Sequence, residues 1–231
     1  MYQFYSMPNV FDIWYIWREN MSRIFLFVAL LSIIVLTSCR VEQPPPPPPE
    51  PTTYQKIHEV LASLQNFRAR ATVEYISNKG SNVYETLQHS RITGEYRIEV
   101  TGPERVAGNV TSSNGHTIFQ FSTRVNGRIT VLARETRERS EIFLTSFIRN
   151  YMGSQETSVS VANMGEGQFT VLEATIPGNH PYLATQKLWV SNETLLPAKM
   201  IIFDPNGTER VIVTYHSFEY NIELDEALFT V

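Results

Sequence analysis

The sequence predicts a mainly β protein: about eleven antiparallel strands in one long curved sheet or open barrel, with two helices packed in or across one side. Three observations predict it. Apolar residues alternate with polar ones along most of the chain after Thr52. Asn-Gly and similar turn pairs punctuate these runs at short intervals. Only two segments carry the three-to-four-residue spacing of a helix.

The first helix follows Thr52-Thr-Tyr-Gln55, which has the form of a capping box. Ile57, Val60, Leu61 and Leu64 then share one helical face, and the segment should end near Asn66. Phe67, Ala69, Ala71, Val73 and Tyr75 alternate with Arg68, Arg70, Thr72 and Glu74, a strand with one apolar face. Asn78 to Asn82 is turn chemistry. Further strands are expected at 83–92, 96–100, 110–113, 116–125 and 128–134, with Asn114-Gly115 and Asn126-Gly127 as hairpin turns. A second helix is expected over Ser140–Met152, where Leu144, Phe147, Ile148 and Tyr151 share a face and Gly153 offers a left-handed cap. Strands resume at 157–163 and 168–176. A loop is expected at Pro177, Gly178, Asn179 and Pro181, then strands at 184–190, 197–203 and 208–220 and a short helical piece at 224–228. Met200–Phe203 and Val211–Tyr215 are apolar on both faces. The second face therefore needs cover from the helices, a bound lipid or a partner chain.

The N-terminal part reads differently. Residues 24–36, IFLFVALLSIIVL, form an apolar run of about 20 Å as a helix at ~1.5 Å per residue, short for roughly 30 Å of hydrocarbon. Arg23 precedes it. Residues 1–38 are therefore expected to be a signal peptide, with the true start at Met21. Leu36-Thr37-Ser38-Cys39 has the form of a bacterial lipobox, and Cys39 is the single cysteine of the 231 residues. Its thiol is the expected lipid-attachment site, a diacylglyceryl thioether that anchors the chain on the extracytoplasmic face of the cell membrane. More than one acyl chain gives stable anchoring, at about 0.8 kcal/mol per buried CH₂. Residues 39–51 include six consecutive prolines. They are expected to form a polyproline spacer on the order of 25–40 Å long at roughly 3.1 Å per residue. Residues 52–231 show no break in composition and are read as one domain.

Composition excludes several functions. The net charge of -4 argues against a nucleic-acid partner. The stretch from Arg124 to Arg139 holds five arginines, but Glu135 and Glu138 interrupt them, as on a solvated hairpin and helix start. One cysteine rules out an internal disulfide framework and any multi-cysteine metal site, and no cofactor is expected. His58-Glu59 begins like a zinc-protease helix, but Ala62 stands where the second histidine belongs. No nucleophile elbow or phosphate loop occurs. His89, His116 and His216 lie on expected strands and could converge, but they read as ordinary surface or satisfied histidines. The sequons at Asn109, Asn192 and Asn206 are incidental beside a lipobox. The chain is expected not to be an enzyme. The remaining candidates are aromatics on strands: Tyr75, Phe119, Phe121, Trp189, Phe203 and Tyr215 could line an apolar, lipid-binding cavity or could simply pack the core.

One resemblance carries further. Leu188 to Phe229, LWVSNETLLPAKMIIFDPNGTERVIVTYHSFEYNIELDEALF, has a strand, a Thr-x-Leu-Pro turn at 194–197, and an Asp-Pro-Asn-Gly turn at 204–207. It closes with the spaced set Tyr215, Phe218, Asn221, Leu224 and Phe229. This resembles the closing hairpins of LolA-like proteins, nearest to their Gram-positive lipoprotein branch, which includes the clostridial germination lipoprotein GerS. Tyr96 to Pro103 is similar to an early strand of the same fold. The resemblance implies a half-open antiparallel barrel closed by helices. It also implies either of two jobs: partner and activator of a cell-wall amidase in spore germination, or carrier or acceptor of the acyl chains of a lipid or lipoprotein.

Overall fold

The computed structural model describes Met21 and residues 50–124, 127–132, 140–154 and 157–229. Cys39, the lipobox, the proline run and most of the arginine-rich stretch after Arg124 lie outside the described residues. The compact unit is Glu50–Val231.

Among the described residues eleven strands form one antiparallel sheet. They are β1 (Asn66–Ser77), β2 (Gly80–Arg91), β3 (Tyr96–Gly102), β4 (Val110–Ser113), β5 (Thr117–Ser122), β6 (Gly127–Leu132), β7 (Thr157–Met164), β8 (Gly167–His180), β9 (Leu183–Ser191), β10 (Pro197–Phe203) and β11 (Glu209–Tyr220). Their order is β6-β5-β4-β3-β2-β1-β11-β10-β9-β8-β7, so the sheet is not closed and β6 and β7 are its edges. One long-range pairing, β1 with β11, joins the two ends of the chain. Every other neighbour is consecutive in sequence, which is why turn signals read the strands so well.

Helix α1 (Thr53–Ala62) begins at the expected capping box. The Gln55 amide donates to Thr52 Oγ1 at 3.3 Å, and the Thr52 amide donates to Gln55 Oε1 at 2.7 Å. It ends at Ala62 rather than near Asn66, because Asn66 already pairs with Arg91 as the first residue of β1. Asn221 then ties the two ends together. Its φ of 50° is left-handed, which asparagine tolerates. Its Oδ1 accepts from the amides of Gln65 (2.7 Å) and Asn66 (3.3 Å), and its Nδ2 donates to the Ser63 carbonyl. The Thr-x-Leu-Pro turn has a similar basis. Leu195 adopts φ 58°, its amide donates to the Ser191 carbonyl, and its own carbonyl accepts from Tyr220 Oη at 3.1 Å.

Helix α2 forms over Leu144–Gly153, shorter at its start than the pattern suggested. Buried Gln186 explains the late start: its Nε2 donates to the Glu141 carbonyl at 2.8 Å, supplying from the sheet the partner that a helical amide would provide. Gly153 is not a left-handed cap. It is the last helical residue, and Ser154 continues in extended conformation. The loop expected at 177–181 is also corrected. β8 runs to His180 through a bulge between Thr175 and His180, which is where a strand can hold Pro177 and a left-handed Gly178.

The core lies on the inner face of the sheet. Ile57, Leu61 and Leu64 from α1 and its exit, and Leu144, Phe147, Ile148 and Tyr151 from α2, pack with Phe67, Val73, Leu172, Leu188, Met200, Ile202 and Val213. Polar contacts fix α2 across the sheet. Thr145 Oγ1 and Ser90 Oγ of β2 share a buried hydrogen bond of 2.7 Å. At the other side Asn150 Nδ2 donates to both Glu141 Oε2 (2.8 Å) and Gln186 Oε1 (3.0 Å).

Candidate binding groove on the inner face

Register decides which aromatics face inward. Cross-strand partners share a face. Tyr75 pairs with Asn82 and Val211, and Tyr215 pairs with Ala71, so both are on the inner face. Phe119 pairs with Ser112, Phe121 with Val110, Trp189 with Lys199, and Phe203 with Thr185. These four alternate with inner residues such as Ile118, Leu188 and Ile202 and therefore lie on the outer face. As cavity-lining residues Phe119, Phe121, Trp189 and Phe203 are corrections. Being large and apolar does not choose a face; position parity in the register does.

The outer aromatics instead answer what covers the second apolar face. Ile201 is only 3% exposed, and its partners there are Lys187 and Ile212. Lys187 Nζ sits 5.6 Å from the Phe203 ring centre, and Lys199 Nζ sits 5.6 Å from that of Trp189. Among the described residues, lysine stems and flanking aromatics of the strands themselves lie over this face.

On the inner face a groove remains where the helices do not reach. Its lobes have volumes of about 560 and 400 Å³ and share Tyr75, Asn82 and Ile142 in their walls. Both fall within the roughly 300–1,000 Å³ of ordinary ligand sites. The larger lobe adds Ile76, Leu183, Ile202 and Val211 and ends at Lys79, Tyr182 and Arg210. The smaller lobe adds Val73, Ile98 and Val100 but also Tyr84, Tyr96, Thr86, Thr111 and Gln120. Tyr75 is 39% exposed at the join and meets Tyr84 edge-on, ring centres 6.0 Å apart. Tyr215 is inward but fully packed: burial pushes its hydroxyl far above the ordinary tyrosine range, and it contributes core rather than lining.

The larger lobe has a rigid end. The carboxylate of Asp204, in the β10–β11 turn, accepts from the amides of Asn206 and Thr208 and from Nε and Nη2 of Arg210 at 2.8 and 2.6 Å. The Thr208 amide, with Arg210 and Asn206, holds its pKa below the usual 3.8 against an opposing push from burial. Arg210 Nη1 also donates to Asn78 Oδ1 at 3.0 Å, joining this turn to the β1–β2 hairpin, and the guanidinium lies 5.5 Å from the Tyr182 ring centre. The arrangement can hold a largely apolar ligand by contact. Amide and hydroxyl groups line one lobe, and the cations Lys79 and Arg210 end the other.

Sequence reasoning missed Tyr84, Tyr96, Ile142, Tyr182 and Arg210. For Tyr84 the signal was present. A two-residue turn at Asn78-Lys79 forces Ser77 opposite Gly80, and counting back puts Tyr84 opposite inward Val73. Nothing local could have placed Ile142. Of the histidines, His89 and His216 lie on the outer face and His116 is exposed beside a turn. Among the described residues no group of three or more His, Cys, Asp or Glu could hold a metal.

The fold defines a half-open, antiparallel β-sheet protein with two helices on its inner face, the class the sequence resemblance implied. Over residues 20–229 the chain matches the family described as sporulation protein YdcC-like, and it belongs to that family. It is 19% identical over 213 residues to sporulation protein YdcC of Bacillus subtilis (strain 168), covering 92% of this chain and 60% of the relative's length. Among solved structures it is similar to the complex of the CwlD amidase from Clostridioides difficile with the GerS lipoprotein. That match has 26% identity and a TM-score of 0.45, over 75% of this chain and 99% of that one. It is also similar to the LolA superfamily protein NE2245 from Nitrosomonas europaea, at 15% identity and a TM-score of 0.43, over 78% of this chain and 99% of that one.

Proposed function

We propose that this member of a sporulation family is a non-enzymatic lipoprotein that works by holding a partner, a cell-wall amidase of the spore cortex. The anchor is a diacylglyceryl group on Cys39, the site is the extracytoplasmic face of the membrane, and residues 40–51 are the spacer. What supports partner binding over carriage is the inner face. Most of it is filled by the chain's own α1 and α2, with Phe147, Leu144, Met200 and Ile202 fully buried. A barrel plugged by its own helices acts mainly through its surface. The amidase as partner rests on the sequence resemblance over Leu188–Phe229 and on the family's place in sporulation.

Two measurements test this. Radiolabelled palmitate fed to the expressing cell should label the wild type and not Cys39→Ala; equal labelling refutes the anchor. Affinity purification from sporulating cells should recover a peptidoglycan amidase. Recovery of none, with the protein correctly localised, refutes the partner.

A second reading is favoured by the groove itself: acceptance of an acyl chain of a lipid or lipoprotein along Tyr75, Ile76, Ile142 and Val211. Native mass spectrometry after mild extraction distinguishes it, through a co-purifying lipid that Val211→Trp removes.

A further inference from the structure

The outer face carries a second arrangement, independent of the groove. Glu219, Arg68, His89, Arg97 and Ser112 lie in one row across β11, β1, β2, β3 and β4, each opposite the next in register. Arg68 is matched by Glu219, through Nε at 3.1 Å and Nη2 at 2.7 Å. Arg97 is not matched so well: its contact to Glu99 is 3.4 Å long. His89 and Ser112, on either side of Arg97, are 8% and 0% exposed. Their Nδ1 and Oγ atoms are buried with no hydrogen-bond partner among the described residues. Orphaned buried polar atoms of this kind are costly, so native structures keep few of them.

The C-terminal 3₁₀ helix, Glu226–Phe229, packs against β3 and β4 at this place. Phe229 is 1% exposed yet belongs to no part of the inner core cluster, so its burial comes from the outer face. The described polar and cation–π contacts that hold the segment converge on one side chain. Arg91, two positions from His89 on the same face, donates from Nη1 to Glu226 Oε1 at 2.7 Å and from Nη2 to the Leu224 carbonyl at 3.0 Å. Its guanidinium stands 4.8 Å from the Phe229 ring centre. Glu226 is 84% exposed there, and an ion pair in that setting contributes little. The segment thus lies beside polar groups that it does not satisfy, and it is held by Asn221 at its start and by buried Phe229 and the Arg91 contacts at its end.

We propose that the outer face of β2–β4, centred on Arg91, Arg97, His89 and Ser112, is a docking site for an acidic segment of a partner protein that carries an aromatic side chain, and that the chain's own C-terminal segment occupies it until displaced. The resident segment itself shows the occupant's chemistry. The resident segment, Asn221-Ile-Glu-Leu-Asp-Glu-Ala-Leu-Phe229, is acidic and ends in the buried aromatic, so the face already accepts that kind of peptide. Leaving out Glu226, which belongs to the resident segment, the row beside it carries three arginines, Arg68, Arg91 and Arg97, against two glutamates, Glu99 and Glu219. Burial, followed by Arg68 and Arg97 and opposed by Glu99, holds the His89 pKa below its ordinary 6.5, in keeping with a positive local field.

The test uses a fluorescent peptide of residues 221–231 added in trans to the full chain. Phe229→Ala should loosen the resident segment, and the peptide should then bind, by anisotropy, at least tenfold more tightly than to the wild type. Adding Arg91→Ala to that variant should weaken binding at least tenfold, and a peptide with Glu223, Asp225 and Glu226 replaced by lysine should not bind. No binding to Phe229→Ala, or binding indifferent to Arg91, overturns the proposal. Should Phe229→Ala fail to fold, 4-fluorophenylalanine at position 229 of the otherwise natural chain gives the same answer. Excess peptide should move its ¹⁹F resonance to the solvent-exposed position, and an unmoved resonance overturns the proposal.

Discussion

Phe147→Ala tests the claim that the helices, rather than a ligand, fill most of the inner face. Phe147 is fully buried in α2, stacks on Tyr151 with ring centres 5.7 Å apart at 13°, and belongs to the central core cluster. Truncating a buried phenylalanine costs about 3–5 kcal/mol, the sum of lost transfer energy and the cavity left behind. Part of that is the aromatic pair, on the order of 0.5–1.5 kcal/mol. Tyr151 Oη also shares a 3.1 Å hydrogen bond with Tyr54 Oη of α1, so the loss should propagate to the helix pair. For a domain of this size, roughly 2–4 °C per kcal/mol gives a fall in Tm of roughly 6–20 °C. Urea unfolding should show a lower midpoint at an unchanged slope, since the surface exposed on unfolding is nearly the same. A loss below about 1 kcal/mol, the size expected at an exposed site, would refute the plugged inner face.

Other perturbations follow from single contacts. Thr52→Ala removes half of the capping box and should cost about 1 kcal/mol in urea unfolding. Gln186→Leu leaves the buried Glu141 carbonyl without its donor and should cost roughly 1–3 kcal/mol, whereas Gln186→Glu should cost more by setting a second carboxylate beside Glu141. Asp204 has a depressed pKa, so its stabilising contribution is complete above its ordinary 3.8 and is lost as pH falls through the lower folded value. Asp204→Asn should therefore be less stable at neutral pH and lose less stability than the wild type on acidification below about pH 4, read by thermal unfolding.

Local chemistry explains what was legible. Strand existence depends on alternation, and hairpin turns depend on two or three residues, so Pro197–Phe203 and Val110–Ser113 could be read directly. The capping box at Thr52–Gln55 could be read for the same reason. The misreadings occur where a distant partner intervened. Residues 141–143 fall within the expected second helix, but Gln186 of β9 claims the Glu141 carbonyl. Pro177–Asn179 has loop composition, but the β8 bulge absorbs it. For the groove, Tyr75 stood in the sequence as a candidate, yet Trp189 and Phe203 looked equal to it and point the other way.

By itself, the sequence determined that the chain is an antiparallel sheet protein with two amphipathic helices, because the periods 2 and 3.6 are properties of a single segment. It also contains the Leu-Thr-Ser-Cys pattern at 36–39 on which the proposed lipid anchor rests. The tertiary structure alone decided which side of each strand became the inside. The β1–β11 pairing, from Phe67 with Tyr220 to Tyr75 with Val211, sets register across the middle of the sheet, and one residue of slip would turn Arg68 and Thr72 inward in place of Phe67 and Val73. It also decided that α2 would cross from Ser90 to Gln186 and leave space beside Tyr75, and that Phe229 would be buried outside the core. Those outcomes depend on long-range pairings, and no short stretch of sequence contains both partners.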